Sequence, residues 1–372
     1  MTNVVISGTG LFTPPHTVSN DELVASYNQY VDKFNAENAA DIEAGTVSPM
    51  QHSSSEFIEK ASGIKSRYLM YKDGVCDPNV MQPIFDKRAA EEMPEMVEMA
   101  LSAAKEALAQ ANKKPEEIDL VIVAASNMQR PYPALAVEIQ HYLGAKGYAY
   151  DMNVACSSAT FGIINAINAV KTGNANVALV VNPEFTSPNL NFRNRDSHFI
   201  FGDVCTATII EKEETAHTEN AFRVLGNKQT TQFSNNIRCN YSYTDYLHGS
   251  VPAETPYFHQ EGRKVFKELL PIVIDVIGGH LQEQALPVED IKRMWLHQAN
   301  INMNTFAVKK LLGRPAENDE APLVLDEYAN TASAGSVIAF HKYKQGFESG
   351  DKGILCSFGA GYSVGCISLE KV

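Results

Sequence analysis

The sequence predicts an α/β fold in two successive halves, residues 1–215 and 216–372, with mostly parallel strands. Three observations predict it. Continuous apolar runs such as IDLVIVAAS (118–126) and VALVVNPE (177–184) read as strands covered on both faces, the pattern of a parallel sheet. Stretches with helical periodicity separate them, most clearly MPEMVEMALSAAKEALAQAN (93–112), apolar at Met96, Val97, Ala100, Leu101, Ala104 and Leu108. A polar stretch, EETAHTENA (213–221), then interrupts the chain, and strands and helices resume beyond it.

Taken in order, Val4–Ile6 is a buried strand, with Gly8 and Gly10 expected to end it in a turn. It is no dinucleotide loop: Pro14 and Pro15 forbid the helix that should follow, and the third glycine is missing. Residues 21–60 read as helical and polar, and 71–92 as a loop excursion rich in turn residues. Helices follow at 134–147 and 157–173, each closed by glycine, with strands at 148–155, 177–184 and 207–213. In the second half, 259–284 is a long helix, 291–300 a strand entering a loop, 305–313 a helix, and 353–370 a hairpin of two apolar strands.

Composition narrows the function. Of 372 residues, 44% are hydrophobic and 20% charged, a globular balance. The net charge of −13 disfavours nucleic acid or an anionic membrane as the main partner. No apolar run approaches the ~20 residues of a membrane span. The start, MTNVVISGTG, lacks the basic stretch of a secretory signal, so a cytoplasmic enzyme with reduced cysteines is expected. The six cysteines have no metal-binding spacing.

Four places carry candidate chemistry. Cys156 follows the strand DMNVA and opens a helix, where the helix dipole and free N–H groups favour a nucleophilic thiolate. His297, in WLHQAN, stands at the carboxyl end of a buried strand, where α/β sheets place their sites. Asn330 precedes small residues that permit close helix packing. The loop Gly359-Ala360-Gly361 lets backbone N–H groups approach a ligand and, with the N–H of Cys156, form an oxyanion site. Each also has an ordinary structural explanation: a small buried thiol, a core histidine, a turn asparagine, a hairpin turn.

Taken together, DMNVACSSATFG, FGD (201–203), HQANINMNTFAVKKLLG, YANTASAGS and SFGAGYSVG occur in the order and spacing of the β-ketoacyl-acyl-carrier-protein synthase III family. The resemblance spans essentially the whole chain. It implies the thiolase fold, two related βαβαβαββ halves in a five-layered αβαβα structure, and a homodimer. It implies a catalytic triad of Cys156, His297 and Asn330, with Phe358 as a gate for decarboxylation and Ala360 as an oxyanion donor. The implied partners are acyl-CoA, whose acyl group passes to Cys156, and malonyl-acyl-carrier protein, decarboxylated for the condensation. No metal or redox cofactor is required. Arg195, Phe57, Tyr132, Asn300 and Phe266 fall on substrate-binding positions, and Lys267, Lys309 and Lys310 on positions that dock the carrier protein.

The chain departs from the family at the nucleotide end. Asn302 replaces an arginine, and Phe57 and Ala61 replace the tryptophan and arginine that hold the CoA adenine. Segments 21–55 and 71–92 are long, and Met81, Pro83, Ile84 and Phe85 are candidates to roof a longer acyl tunnel, which favours a medium-chain primer. Tyr132 falls where the dimer partner closes the acyl pocket, commonly with phenylalanine, and does not by itself lengthen it. Other condensing enzymes with this triad, such as head-to-head fatty acyl or quinolone and polyketide synthases, are the near alternative. A non-catalytic thiolase-fold partner subunit is disfavoured by the intact triad. A papain-type hydrolase lacks its cysteine context here. A true thiolase lacks its C-terminal motif, since Cys356 stands one residue out of step.

Overall fold

The computed structural model describes residues 2–240, 258–317 and 319–372. Its first strand, β1 (Val4–Phe12), runs through Gly8 and Gly10 instead of stopping at them. The glycines serve packing. A Cβ at Gly8 would stand 2.2 Å from the Ala107 carbonyl oxygen, and one at Gly10 2.0 Å from that of Ala103. Only bare backbone lets the overlying helix lie this close.

The next elements are β2 (His16–Ser19), α1 (Asn20–Glu37), α2 (Ala39–Glu43), α3 (Ser55–Ser62) and β3 (Ser66–Leu69), with β2 and β3 antiparallel. The helical region expected at 21–60 is therefore three helices. Ser19 and Glu22 start α1 with a capping box, and Gly63, left-handed at φ 89°, closes α3. Residues 71–92 form no helix or strand, as expected.

The N-terminal half continues with α4 (Glu95–Ala111), β4 (Leu120–Ala124), α5 (Leu135–Leu143), β5 (Tyr148–Met152), α6 (Ser158–Lys171), β6 (Val177–Glu184) and β7 (Val204–Lys212). With β1 this is β-α-β-α-β-α-β-β. The C-terminal half holds β8 (Phe222–Ser234), β9 (Ile237–Cys239), β10 (Phe258–Gln260), α7 (Gly262–Glu283), β11 (Ile291–Leu296), α8 (Ile301–Leu312), α9 (Leu325–Tyr328), α10 (Gly335–Tyr343), β12 (Lys352–Gly359) and β13 (Gly361–Lys371). It repeats the order, but no strand lies between α8 and α10 among the described residues. Sequence reading missed β8, whose polar run FRVLGNKQTTQFS hides a strand exposed on one face.

Nine strands pair in the order β11-β12-β13-β8-β1-β7-β6-β4-β5. Within the sheet the two halves pair where Val5 and Ile6 of β1 meet Arg223 and Phe222 of β8. In each half one strand, β7 or β13, runs antiparallel to its neighbours. Strand alternation builds the layers. Leu120, Ile122 and Ala124 face a core shared by α6 and α10, while Val121 and Val123 face α4 and α5. On the other side Leu355 and Ile367 face that same central core, and Ile354, Cys356 and Val364 face α7 and α8. The result is five layers, helices–sheet–helices–sheet–helices. Trp295 locks the middle, 4.7 Å from Phe340 between ring centroids, with Phe222 5.2 Å from Phe340. No helix among the described residues is long and apolar enough to cross a membrane.

Candidate active site

β5 ends at Met152, and a 3-10 turn, Ala155–Ser157, carries Cys156 into α6. The turn is held tightly: the Asn153 side chain accepts from the Ala155 N–H at 2.8 Å and donates to the Ser126 carbonyl at 2.8 Å. Ala155 sits at φ 47°, a left-handed conformation costly for alanine. Two more strained alanines, Ala329 (φ 56°) and Ala332 (φ 46°), flank Asn330. Such strain persists only where surrounding packing enforces it.

The sulfur of Cys156 receives its own backbone N–H and that of Ala360. These are the two donors anticipated for an oxyanion site. The proximity depends on Gly359, where a Cβ would stand 2.4 Å from the Cys156 Cβ and 3.1 Å from its sulfur. Electrostatics overturn the expectation of a thiolate. Burial, and then the carboxylate of Glu184, push the thiol up to about 12, against the pull of the two N–H groups. The unliganded site therefore holds a neutral thiol.

His297 continues the sheet just past β11, its N–H donating to the Cys356 carbonyl at 2.9 Å. Asn304 Nδ2 donates to its carbonyl at 3.0 Å. Burial alone drives the imidazole down to about 4, so it is neutral near pH 7. Its Nδ1 has no hydrogen-bond partner among the described residues. Phe358 packs edge-on against the ring, centroids 5.3 Å apart. Asn330 is pinned by its backbone N–H to the Ile200 carbonyl at 2.9 Å. Its Oδ1 accepts from the Ala332 N–H at 2.9 Å, which turns the amide NH₂ the other way, as a donor. Gly335 permits the close helix packing foreseen here: a Cβ would meet the Gln298 Cβ at 2.9 Å.

Cys156 opens on two cavities. One, about 650 Å³, is lined by Cys156, His297, Asn330 and Phe358, and also by Phe57, Ala61, Phe266 and Asn300. The other, about 470 Å³, contains Cys156 and Ala360 and is lined largely by apolar side chains, among them Phe85, Met96, Met128 and Phe185. Phe201 of the FGD motif lines both. Asp203 of the same motif is a structural clamp, accepting from the N–H groups of Met70, Thr186 and Ser187 and from the Ser187 hydroxyl.

Tyr132, expected at the acyl pocket of a dimer partner, is 83% exposed on its own chain. Arg195 lies over the Phe57 ring at 4.0 Å, and its Nε donates to the His52 carbonyl at 2.8 Å, a stack already closed on itself. The Asn300 side chain caps α8, accepting from the Asn302 N–H, and donates to the Ala61 carbonyl; its amide is committed on both sides. Lys267, Lys309 and Lys310 are exposed on α7 and α8. Of the four candidate roof residues only Phe85 lines a cavity beside Cys156; Met81 is buried under α1 and Ile84 is exposed to solvent.

Sequence reading missed Glu184. It is wholly buried and accepts from the N–H and hydroxyl groups of both Ser126 and Ser333. Burial raises it to about 7. A carboxylate ending an otherwise apolar buried strand was the available signal.

Comparison with known proteins identifies the family. Models described as 3-oxoacyl-[acyl-carrier-protein] synthase III match residues 150–228 and, for the C-terminal part, 281–371. The β-ketodecanoyl-[acyl-carrier-protein] synthase of Pseudomonas aeruginosa is 52% identical over 347 residues, covering 93% of this chain and 99% of that one. A β-ketoacyl-[acyl-carrier-protein] synthase III of Clostridium perfringens is 28% identical over the full length of both. The crystal structure of the synthase III of Aquifex aeolicus superposes with a TM-score of 0.76 at 26% identity, covering 99% of each chain. With its thiolase-type layers and a cysteine, a histidine and an asparagine drawn to one cavity, the chain belongs to the 3-oxoacyl-[acyl-carrier-protein] synthase III family of condensing acyltransferases.

Proposed function

We propose that this protein condenses a medium-chain acyl primer, delivered as its CoA thioester, with malonyl-acyl-carrier protein in fatty acid biosynthesis, releasing CO₂. The observation that carries the reading is the placing of Cys156 between two cavities, with two backbone N–H groups on its sulfur and His297 and Asn330 on one side.

In the first half-reaction the Cys156 sulfur attacks the thioester carbonyl. The N–H groups of Cys156 and Ala360 receive the oxyanion. CoA leaves as its thiol, taking up the proton that Cys156 gives, and the acyl chain lies in the apolar cavity. A thiol held near 12 needs a base as the bond forms, and in this reading the neutral imidazole of His297, which lines the same cavity as Cys156, takes that role. In the second half-reaction the malonyl thioester enters the larger cavity. His297 and the Asn330 amide donate to its carbonyl and stabilise the enolate formed as CO₂ departs. Phe358, against His297, keeps water from the carboxylate. The enolate attacks acyl-Cys156, and the cysteine leaves as thiolate and is reprotonated.

Lys309 and Lys310 on α8 and Lys267 on α7, with Arg263 lining the larger cavity, offer positive charge to an acidic carrier protein on a chain of net charge −13. A homodimer belongs to the same reading, as does a cytoplasmic location. Edge strand β5 and the exposed Tyr132, Val137, Tyr142 and Tyr148 lie together on the N-terminal half and suit burial against a second copy. The test is the intact mass of the protein after incubation with acyl-CoAs of increasing length. A single acyl adduct on Cys156, absent in Cys156→Ala, is expected; stoichiometric acylation persisting in that variant refutes the assignment.

A further inference from the structure

We propose that Phe85, carried on the irregular segment 71–92, is the partition that sets how long an acyl chain the protein accepts. The inference rests on the reading of the cavity beside Cys156 as the acyl site.

Phe85 stands between two unlike spaces. On one side is the apolar 470 Å³ cavity that starts at Cys156. On the other is a cavity of about 560 Å³ lined by charge, with Lys87, Arg88, Glu92, Glu95 and Arg130. Phe85 and Gln129 line both. Gln129 is tied down, donating to Glu95 and accepting from the Met96 N–H at 3.2 Å. That leaves the Phe85 ring as the apolar part of the shared wall.

The ring is held for this task. It stacks on Tyr71, centroids 4.6 Å apart and planes 13° apart, and packs on Phe185 at 5.7 Å. The segment behind it is anchored. Val75 and Met81 are buried in the core beneath α1, and Met81 Sδ accepts from the Ser26 hydroxyl at 3.2 Å. Ile84 N–H donates to the Asp73 carbonyl at 2.8 Å. The crossing needs Gly74, at φ +81°, where a Cβ would stand 2.5 Å from the Gln82 carbonyl oxygen.

The chemistry of the two spaces turns this wall into a length gauge. Each methylene buried on the apolar side strengthens binding about fourfold. A chain reaching past the ring would lay methylenes against the Arg88–Glu95 ion pair, at 3.1 Å, and strip water from Lys87 and Arg88. The gain per carbon stops at Phe85.

The experiment measures initial rates of Cys156 acylation, by intact mass, for hexanoyl-, octanoyl-, decanoyl-, dodecanoyl- and tetradecanoyl-CoA. Wild type is compared with Phe85→Ala, Phe85→Leu, Phe85→Trp and Ile84→Ala. Wild type should peak at one length. Phe85→Ala should move the peak at least one step longer and raise the dodecanoyl-to-octanoyl ratio about tenfold. Phe85→Trp should move it shorter. If Phe85→Ala does not fold, Phe85→Leu carries the same test with a smaller shift. Ile84→Ala, on the same segment but outside the cavities, should keep the wild-type peak. An unchanged peak in the Phe85 variants that fold overturns the partition, as does an equal shift in Ile84→Ala, while Cys156 acylation in wild type stands. No acylation of wild type by any of these thioesters overturns the underlying reading as well.

Discussion

Gly359→Ala is the sharpest test of how the oxyanion site is built. The added methyl carbon would lie 2.4 Å from the Cys156 Cβ. Carbon atoms rest at about 3.5–4.0 Å, so the turn between β12 and β13 must retreat by more than about 1 Å. That turn carries the Ala360 N–H, one of two donors on the Cys156 sulfur. Displacing one such donor costs about 100- to 1000-fold in rate, or roughly 3–4 kcal/mol of transition-state stabilisation. Overpacking adds about 1–3 kcal/mol of lost stability, tolerable in a well-buried hairpin. Acyl transfer to Cys156 should therefore fall about 100-fold or more while the protein still melts cooperatively. The assay is single-turnover acylation followed by mass, beside a thermal melt. Alkylation of Cys156 by a small electrophile, which needs the thiolate but no oxyanion site, reports separately how far losing the Ala360 N–H weakens the nucleophile. A folded Gly359→Ala protein that acylates within about threefold of wild type would refute the reasoning.

Alkylation of Cys156 should climb about tenfold per pH unit from pH 7 to 10, because a thiol held at about 12 is mostly protonated throughout; a plateau below pH 9, read by peptide mass, contradicts this. Glu184→Gln should raise that alkylation rate at pH 8, since the carboxylate, itself titrating near 7, opposes the thiolate; a slower rate in a folded variant reverses the assigned sign. Asn330→Asp keeps the acceptor for the Ala332 N–H but removes the NH₂ donor, so condensation should lose about 3–4 kcal/mol of transition-state stabilisation while self-acylation survives; equal losses in both half-reactions, measured separately, reject the division of roles. Charge reversal at Lys309 and Lys310 should raise the KM for malonyl-carrier protein, with the effect shrinking as salt rises; unchanged kinetics leave them as solvated surface.

Much of this protein is legible in its sequence because strand burial and helix amphipathicity are local signals. VALVVNPE reads as the strand Val177–Glu184 residue for residue, and the C-terminal hairpin and the helix ending at Ala111 are read nearly as well. Cys156, His297 and Asn330 each have an ordinary structural explanation when read alone, and only the family motifs taken together single them out. What only the tertiary structure decided lies between distant segments. Gly8 and Gly10 look like a strand's end, and contact with α4 makes them its tightest packing point. A helix-start cysteine looks like a thiolate, and burial with Glu184 nearby makes it a thiol. Glu184 looks like the last residue of a strand, and four donors from Ser126 and Ser333 make it part of the site's frame. Of the four roof candidates in the 71–92 segment, a buried anchor at Met81 and a glycine crossing at Gly74 select Phe85 for the cavity wall. Periodicity reports which face of an element is buried. Desolvation, charge and close approach depend on what the rest of the chain sets against that face.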